Sequence, residues 1–258
     1  MKQLYIIGTG PGGLEHLSPA ARSAIAISSD LVGHSLYLAL LGELTADKRC
    51  HKPPMGQEIA RAQLSLKLAA EGRTTALLSS GDAGIYAMAT VVFELLDSQP
   101  EPAWSAVDIE VIPGISAMQA AAARVGAPLA HDFCAISLSD LLTPWEIIEQ
   151  RIRAAAVGDF VVVFYNAVSK RRSWQLLSAK EILLQYRDPK TPAVVAFNVS
   201  REGEEITLTC LEDLNPDAMN MLTLVLVGNH ETRRTGRWIY TPRGYSKKHW
   251  VLQETVTK

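Results

Sequence analysis

The segment of residues 75–86 constrains the fold more than any other. Its apolar run, Thr75-Ala76-Leu77-Leu78, is typical of a buried strand and leads into a short polar stretch before a helical pattern begins. In an open α/β sheet, ligands bind just beyond the carboxyl ends of the strands. Gly81 and Gly84 would let a ligand approach the main chain, and Asp82 would offer it an acceptor. The alternative is a strand-to-helix turn in which Asp82 caps the helix.

The succession of strand, loop and helix recurs in both halves of the chain and predicts an α/β protein. Continuous apolar runs predict buried strands, whereas Glu205–Cys210 alternates and predicts a half-exposed antiparallel strand. The pattern pauses at Gly126–Leu129, so we predict two α/β domains, residues 1–127 with a mostly parallel sheet and residues 128–258 with a mixed sheet. The predicted strands are Leu4–Ile7, Asp30–Gly33, Thr75–Leu78, Val107–Ile112, Phe160–Tyr165, Pro192–Phe197 and Leu222–Val227.

Short sequence patterns predict one loop and the first residues of two helices. Residues 47–56 combine basic residues with two prolines and a glycine, which predicts a loop with a local cationic cluster. The segment Tyr86–Leu96 has helical spacing and predicts a helix that begins at Tyr86. Thr143 followed by Pro144 predicts a helix with Thr143 as its N-cap and Pro144 as its first residue.

The composition excludes several classes of protein. With 258 residues and 48% hydrophobic content, the chain can form two packed cores. A formal net charge of -2 gives no general attraction to nucleic acid or to a membrane surface. The three cysteines are widely spaced and lack zinc-finger spacing, and no run approaches the roughly 18 apolar residues of a membrane span. We therefore expect a soluble cytoplasmic protein with no structural metal, nucleic-acid partner or membrane partner.

Glycines 8, 10 and 13 satisfy the dinucleotide-binding pattern G-x-G-x-x-G, and Asp30 lies where a ribose-binding acid is expected. Two features argue against that interpretation. Pro11 has no N–H to donate to a pyrophosphate, and the helix signal comes late, with Ser18 as N-cap and Pro19 as first residue. A dinucleotide needs the helix N-terminus inside the glycine turn. An NAD-dependent dehydrogenase remains the alternative function.

Residues 131–145 group an imidazole, carboxylates and hydroxyls in a strand followed by a loop. Such a group is suited to acid–base catalysis. His131, with Asp132 or Asp140 beside it, is the candidate base. A structural histidine is the alternative.

Four motifs follow one another along the chain. They are Gly8-x-Gly10-Pro11-Gly12, Ser80-Gly81-Asp82-Ala83-Gly84-Ile85-Tyr86, Pro113-Gly114-Ile115-Ser116-Ala117 and Val163-Phe164-Tyr165-Asn166. Together they resemble the tetrapyrrole methyltransferases, and the resemblance spans roughly Leu4 to Tyr245. That family implies two α/β domains with S-adenosylmethionine bound in the cleft between them, the class III methyltransferase arrangement. It also implies a homodimer.

Within that family, three stretches resemble the precorrin-3B C17-methyltransferase branch of cobalamin biosynthesis. The resemblance implies methylation of carbon 17 of the macrocycle with ring contraction, extrusion of carbon 20 and formation of precorrin-4. Removal of the proton from the carbon-20 hydroxyl is the step assigned to His131. The stretches are His131 through Trp145, Phe164-Tyr165-Asn166, and Thr241-Pro242-Arg243-Gly244-Tyr245.

The resemblance also implies site residues. Ser200 stands where many relatives have glycine, which puts a close main-chain contact there in doubt. The macrocycle carries acetate and propionate groups, so cations are expected around it. The implied cofactor contacts are Pro11, Ser80, Gly81, Asp82, Ile85, Ser116, Ala117, Asn166 and Ser200. The candidate substrate contacts are Gly10, Met55, Gly56, Ser137, Ser139, Arg201 and Arg243, with Lys52, Lys170 and Arg171 as further cations.

Other functions remain open at this stage. Another family member would methylate a different carbon, or the cobalt-containing form of the same substrate. A carrier protein would bind tetrapyrrole intermediates without S-adenosylmethionine-dependent turnover.

Overall fold

The computed structural model describes residues 2–54, 56–99, 101–169 and 173–245. The chain forms two compact units, the first ending at Ala120 and the second beginning at Ala121. Each unit is described by itself below. The sequence predicted a boundary between residues 127 and 128.

Unit 1 is an α/β layer structure. Its elements are β1 (Gln3–Gly8), α1 (Pro19–Ile27), β2 (Asp30–Val32), α2 (Ser35–Leu40), β3 (Arg49–His51), α3 (Glu58–Ala70), β4 (Thr74–Ser79), α4 (Met88–Ser98), β5 (Asp108–Ile112) and α5 (Ala117–Val125), which continues into unit 2. The five strands form one all-parallel sheet of order β3-β2-β4-β1-β5. All five carboxyl ends therefore lie at one edge, as the sequence predicted for a parallel sheet.

The sheet of unit 1 is covered on both faces, which is why its central strands are continuous apolar runs. Leu77 packs in one core with Leu66 of α3. Leu78, the next residue along β4, points to the other face and packs with Ile25 of α1. The helix predicted after Ser18 is confirmed: α1 begins at Pro19, and the Ser18 hydroxyl accepts a hydrogen bond from the Ala21 N–H.

Two boundaries in unit 1 were predicted wrongly. Residues 49–51 form the edge strand β3 rather than part of a loop, because this charged segment pairs with β2 through main-chain hydrogen bonds that need no apolar side chains. The helix predicted to begin at Tyr86 begins at Met88 instead. Tyr86 has a φ of 51°, a left-handed conformation that lies outside the helical region.

Asp30, the first residue of β2, is fully buried in a cluster of charges. Its carboxylate accepts hydrogen bonds from Ser29 Oγ (2.8 Å), Arg49 Nη2 (3.0 Å), His51 Nε2 (2.9 Å) and Arg73 Nη1 (3.0 Å). Burial by itself would raise the pKa of Asp30, but these hydrogen bonds outweigh it and hold the pKa well below its usual range. The carboxylate is thus fully engaged within the protein, which removes the ribose contact that a dehydrogenase would need.

Unit 2 contains two sheets. Its elements are β6 (Gly126–Ala127), β7 (Phe133–Ser137), α6 (Trp145–Val157), β8 (Val161–Tyr165), α7 (Trp174–Leu184), β9 (Pro192–Phe197), β10 (Glu205–Cys210), β11 (Thr223–Val227), β12 (Arg233–Thr235) and β13 (Trp238–Tyr240). The larger sheet is mixed and has the order β10-β9-β11-β8-β7, and the smaller one has the order β12-β13-β6. The predicted antiparallel strand is confirmed as β10, which pairs with β9.

The directions of the strands in the larger sheet place its loops. β7 and β8 are parallel, and β11 runs antiparallel to both β8 and β9. It follows that β7, β8 and β9 run the same way and end at the same edge. Phe164, which is fully buried, lies in the core below this edge with Ile148 and Ile152 of α6.

The start of α6 differs from the prediction. Pro144, not Thr143, is the N-cap, and the Pro144 carbonyl oxygen accepts hydrogen bonds from the N–H groups of Ile147 (3.1 Å) and Ile148 (3.3 Å). Proline usually occupies the first helical position, but the backbone of Pro144 is extended, with a ψ of 143°. The helix therefore begins one residue later, at Trp145.

Two findings bear on the expectations from composition. No helix in the described part of the chain has the length and apolar character needed to cross a membrane. Cys50, Cys134 and Cys210 are all free thiols.

Candidate functional site

In unit 1, the loops that follow β1 and β4 are joined to each other. The Gly10 N–H donates to the Gly81 carbonyl oxygen (3.1 Å), and the Gly81 N–H donates to the Gly10 carbonyl oxygen (2.7 Å). Both glycines have positive φ, 78° and 69°, where other residues are strained. The two loops therefore form one continuous surface at the carboxyl edge of the sheet.

Close packing explains two further glycines of the motifs. A Cβ on Gly8 would lie 2.6 Å from the Gly114 nitrogen, and a Cβ on Gly114 would clash with the Gly81 carbonyl oxygen. These positions exclude a side chain because main chain packs on main chain. Gly81 differs, since the nearest atom to its missing Cβ is the Ala117 nitrogen, at 3.7 Å. The space at Gly81 is thus next to the beginning of α5.

Asp82 ties two loops together. Its Oδ1 accepts a hydrogen bond from the Gly84 N–H (2.8 Å), and its Oδ2 accepts one from the Gly114 N–H (3.0 Å). Asp82 is not the helix cap of the alternative interpretation, because the N-cap of α4 is Ala87. Each carboxylate oxygen can accept a second hydrogen bond, so Asp82 can still accept one from a ligand. Its observed contacts fix the loop after β4 against the loop after β5.

Ser116 and Gln119 form a capping box at the start of α5. The Ser116 N–H donates to Gln119 Oε1 (2.9 Å), and the Gln119 N–H donates to Ser116 Oγ (3.3 Å). Ser116 is 1% exposed. The predicted contact at Ser116 therefore has its side chain engaged in the helix cap, next to Ala117, the first residue of α5.

The predicted site residues of unit 1 share one location. They lie on the loops that follow the carboxyl ends of β1, β3, β4 and β5 or, in the case of Ala117, at the first residue of the helix that comes next, as a ligand site in a parallel sheet requires. These residues are Gly10, Pro11, Lys52, Gly56, Ser80, Gly81, Asp82, Ile85, Ser116 and Ala117. Met55 lies outside the described residues.

In unit 2, strained residues mark the corresponding edge. Asn166 follows β8 with a φ of 52°, and Asn198 and Ser200 follow β9 with φ of 50° and 61°. With Tyr86 after β4, four of the five non-glycine residues of positive φ in the described chain lie beyond carboxyl ends of strands. Strained main chain of this kind clusters at binding sites.

Hydrogen bonds link the ends of β7 and β8 at this edge. The Asn166 side chain donates from Nδ2 to Ser137 Oγ (3.0 Å), and the Ser139 N–H donates to the same oxygen (3.3 Å). Asp140, further along the same loop, accepts a hydrogen bond on Oδ2 from Gln175 Nε2 of α7 (3.0 Å). The structure therefore brings the predicted residues Asn166, Ser137 and Ser139 together.

The loop after β9 is held by an ion pair. Glu204 Oε1 accepts a hydrogen bond from Arg124 Nε (2.7 Å), and Glu204 Oε2 accepts one from the Ser200 N–H (2.5 Å). Arg201, a predicted substrate contact, lies in this loop. Arg124 and Glu204 were not predicted from the sequence. The charge of residues 201–205 was a local signal for Glu204, whereas Arg124 had none.

The predicted catalytic group is brought together only in part. His131 lies beside Asp132, with 3.4 Å between His131 Nδ1 and Asp132 Oδ2, and the same Nδ1 accepts a hydrogen bond from the Asp132 N–H (2.8 Å). Both residues precede β7, whereas Asp140 follows it. A strand rises about 3.3 Å per residue, so the five residues of β7 separate Asp140 from His131 by roughly 17 Å. The structure therefore offers Asp132, and not Asp140, as the carboxylate beside His131.

The structure describes only one of the three remaining predicted cations, Arg243, Lys170 and Arg171. Arg243 donates from Nη1 to the carbonyl oxygen of Ala130 (3.4 Å), which places it near His131 and away from the loops after β8 and β9. Lys170 and Arg171 lie outside the described residues.

One group of possible metal ligands was not anticipated from the sequence. In the described part of the chain, one ligand atom each from Cys210, Glu212 and Asp213 lie within 4.8 Å of one another. Glu212 also forms an ion pair with Lys190. Burial is the largest influence on the Cys210 thiol and, with its hydrogen bond to Asp213, raises its pKa, which works against a thiolate ligand.

Comparison with known proteins identifies a family and several relatives. Residues 3–215 match the family model for Tetrapyrrole (Corrin/Porphyrin) Methylases. The chain is 43% identical over 243 residues to the "Probable cobalt-factor III C(17)-methyltransferase" of Salmonella typhimurium, covering 94% of this chain and 99% of that protein. It is 40% identical over 248 residues to the "Precorrin-3B C(17)-methyltransferase" of a Sinorhizobium species, covering 94% and 97%.

A longer relative and a solved structure extend the comparison. The "Cobalt-factor III methyltransferase" of Priestia megaterium is 45% identical over 251 residues, which cover 97% of this chain. The chain spans less than half of that relative's length, 46%. The crystal structure of the methyltransferase CobJ superposes with a TM-score of 0.88 at 42% identity, covering 93% of this chain and 99% of that one.

Proposed function

The chain belongs to the tetrapyrrole (corrin/porphyrin) methylases, and on this basis we propose that it transfers a methyl group from S-adenosylmethionine to carbon 17 of a tetrapyrrole in cobalamin biosynthesis. The proposed reaction converts precorrin-3B to precorrin-4, with ring contraction. The observation that carries this proposal is the similarity along almost the whole chain to proteins named for C17 methylation, at 43% and 40% identity.

The residues present at the carboxyl edge of unit 1 fit a nucleoside-type cofactor. Gly81 exposes its main chain without a side chain, next to Ala117, and the Asp82 hydrogen bonds hold the surrounding loop in place. Small residues and main-chain groups suit a large, neutral adenosine group better than a charged pocket would. The predicted contacts at Pro11, Ser80 and Ile85 belong to the same edge.

S-adenosylmethionine supplies an already activated methyl group, so the protein needs no nucleophile of its own for the transfer. The task of the chain is to bind, orient and exclude water, and alignment of reactants is worth about 7–11 kcal/mol in favourable cases. The Gly10–Gly81 hydrogen bonds and the Asp82 contacts give unit 1 a rigid loop surface for this purpose. In unit 2, Asn166 is held by Ser137.

A second candidate is the cobalt-containing substrate. Two relatives named for cobalt-factor III are 45% and 43% identical and a further one is 38% identical, compared with 40% for the relative named for precorrin-3B. Both candidates share transfer to carbon 17 and differ in the metal that the substrate holds.

Product analysis distinguishes these candidates. The purified protein is incubated with S-adenosylmethionine and either precorrin-3B or cobalt-factor III, and the products are identified by mass spectrometry and NMR. We expect a mass gain of one methyl group located at carbon 17. Methylation at another carbon would reassign the chain within its family, and absence of turnover with both substrates would favour a carrier role.

Cofactor binding is tested separately by calorimetry with S-adenosylhomocysteine. We expect Asp82→Ala to weaken binding by at least about tenfold, or roughly 1.4 kcal/mol, because both loops lose their shared anchor. Asp97→Ala, which removes an exposed carboxylate from α4, is the matched control and should bind like the wild type. Binding of NAD in place of S-adenosylhomocysteine would revive the dehydrogenase interpretation.

We also propose that the protein is a cytoplasmic homodimer. Its three free cysteines are consistent with a reducing compartment, and the homodimer is expected from the family resemblance. Light scattering coupled to size-exclusion chromatography measures the oligomeric state, and a monomeric mass at micromolar concentration would refute the dimer.

A further inference from the structure

The loop of residues 198–204, which follows β9, keeps an unfavourable backbone conformation at Ser200. The φ of Ser200 is 61°, in the left-handed region where a side chain is disfavoured and glycine is not. A non-glycine residue stays in this region only when its surroundings impose the conformation. The contacts around Ser200 are therefore part of what gives the loop its shape.

Hydrogen bonds within the loop account for part of this shape. The Arg201 N–H donates to the Asn198 carbonyl oxygen (3.0 Å), and the Glu204 N–H donates to the Arg201 carbonyl oxygen (3.0 Å). The Asn198 side chain donates to the Glu202 carbonyl oxygen (2.5 Å). The two main-chain bonds close successive turns, residues 198–201 and 201–204, and Ser200 lies inside the first of them. None of these bonds engages the main-chain N–H of Ser200.

A separate pair of side chains holds Ser200 itself. Glu204 Oε2 accepts the hydrogen bond of the Ser200 N–H, while Glu204 Oε1 accepts one from Arg124 Nε. Arg124, which lies 76 residues earlier in the last turn of α5, also donates from Nη2 to Ser200 Oγ (3.3 Å). Hydrogen bonds between charged groups are stronger than neutral ones. Glu204 thus binds the main-chain N–H of Ser200, and Arg124 binds its hydroxyl.

We propose that Arg124 and Glu204 are positioning residues for cofactor binding, which hold the main chain at Ser200 in its binding conformation before the cofactor arrives. This inference rests on the proposed function and on the predicted contact at Ser200. Pre-formed loops bind more tightly because less ordering is left to occur on binding. Neither Arg124 nor Glu204 needs to touch the cofactor, since both act through Ser200.

The test is a double-mutant cycle measured by calorimetry with S-adenosylhomocysteine. Arg124→Gln should weaken binding by about fivefold to tenfold, since serine then leaves the left-handed region more often. Ser200→Gly is the second background of the cycle, because glycine adopts this φ without strain. The double variant should bind within about twofold of Ser200→Gly, because the conformation no longer needs to be imposed.

A matched control separates this effect from the loss of any arginine ion pair. Arg153 of α6 is as exposed as Arg124, with 41% against 40% of its side chain accessible, and it also pairs with a glutamate, Glu149. Arg153→Gln should leave the affinity unchanged. Glu204→Gln is the second variant at the site and should also weaken binding, which covers the case in which Arg124→Gln fails to fold.

The outcomes distinguish the inference from the proposed function. If the wild type does not bind S-adenosylhomocysteine, the proposed function itself fails. If the wild type binds and Arg124→Gln binds equally well, only the positioning role is overturned. An equal loss from Arg124→Gln in the serine and glycine backgrounds also overturns it, because Arg124 would then act independently of Ser200.

Discussion

Asp30→Asn should destabilise unit 1 although the substitution conserves size. The Asp30 carboxylate is fully buried and accepts four hydrogen bonds, three of them from basic side chains. Asparagine keeps one acceptor oxygen but carries no charge and replaces the other oxygen with an N–H₂ donor. That donor would face Arg49 and Ser29, which also donate.

The expected loss follows from the burial of the partners. Breaking a buried charge pair by removing one partner costs about 3–5 kcal/mol. Here the partners are partly hydrated, because the side chains of Arg49 and Arg73 are 60% and 34% exposed. Their exposure lowers the cost of leaving them unpaired. We therefore expect the free energy of unfolding to fall by about 2–3 kcal/mol.

Urea unfolding followed by circular dichroism measures this loss. With an m value of about 2 kcal/mol/M, the midpoint for unit 1 should fall by roughly 1–1.5 M at pH 7. Because the folded pKa of Asp30 is lowered, its stabilisation is complete above the ordinary aspartate pKa of about 3.9 and is lost as the pH falls through the folded pKa. The difference in the free energy of unfolding between the wild type and Asp30→Asn should therefore become smaller below about pH 4.

Asp108→Asn is the control for this prediction. Asp108 is also the first residue of a strand in the same sheet, but it is exposed. Its substitution should change the free energy of unfolding by less than about 0.5 kcal/mol. If the urea midpoint of Asp30→Asn equals that of Asp108→Asn, the claim that the buried charge cluster stabilises unit 1 is refuted.

Two other substitutions test the packing that shapes the site. Gly114→Ala should reduce S-adenosylhomocysteine affinity by more than about tenfold, because its Cβ would force the Gly81 carbonyl out of place; calorimetry showing wild-type affinity would contradict this account of the loop surface. Phe164→Ala should cost about 3–5 kcal/mol by urea titration, since Phe164 is fully buried in unit 2, whereas Phe93→Ala, with Phe93 49% exposed on α4, should cost less than about 1 kcal/mol. Equal losses at the two positions would be inconsistent with this core.

The strands that lie inside the sheets could be predicted from the sequence because burial on both faces leaves a clear mark. Leu77 and Leu78 belong to two different cores, and a run that is apolar at every position records this directly. β3 has no such apolar run in its sequence. Arg49 and His51 face Asp30, so the edge strand is charged and could not be distinguished from a loop.

The location of the candidate site could be predicted, but the contacts of its residues could not. The glycine-containing loops after β1, β4 and β5 lie at the expected edge, because all parallel strands end on the same side. The partner of Asp82 is Gly114, 32 residues later, and nothing in the local sequence of either loop indicates the pairing. The same limit applies to Arg124 and Glu204, which are 80 residues apart.

The antiparallel strand β11 sets the distance between two of the loops in unit 2. It lies between β8 and β9, so their ends are two strand spacings apart, or roughly 10 Å. The carbonyl oxygen of Leu222, just before β11, accepts a hydrogen bond from the Asn198 N–H (3.1 Å) and fixes one side of this gap. Since this spacing is determined by the ladder of the sheet, side-chain substitutions within the two loops should leave the separation of their attachment points unchanged.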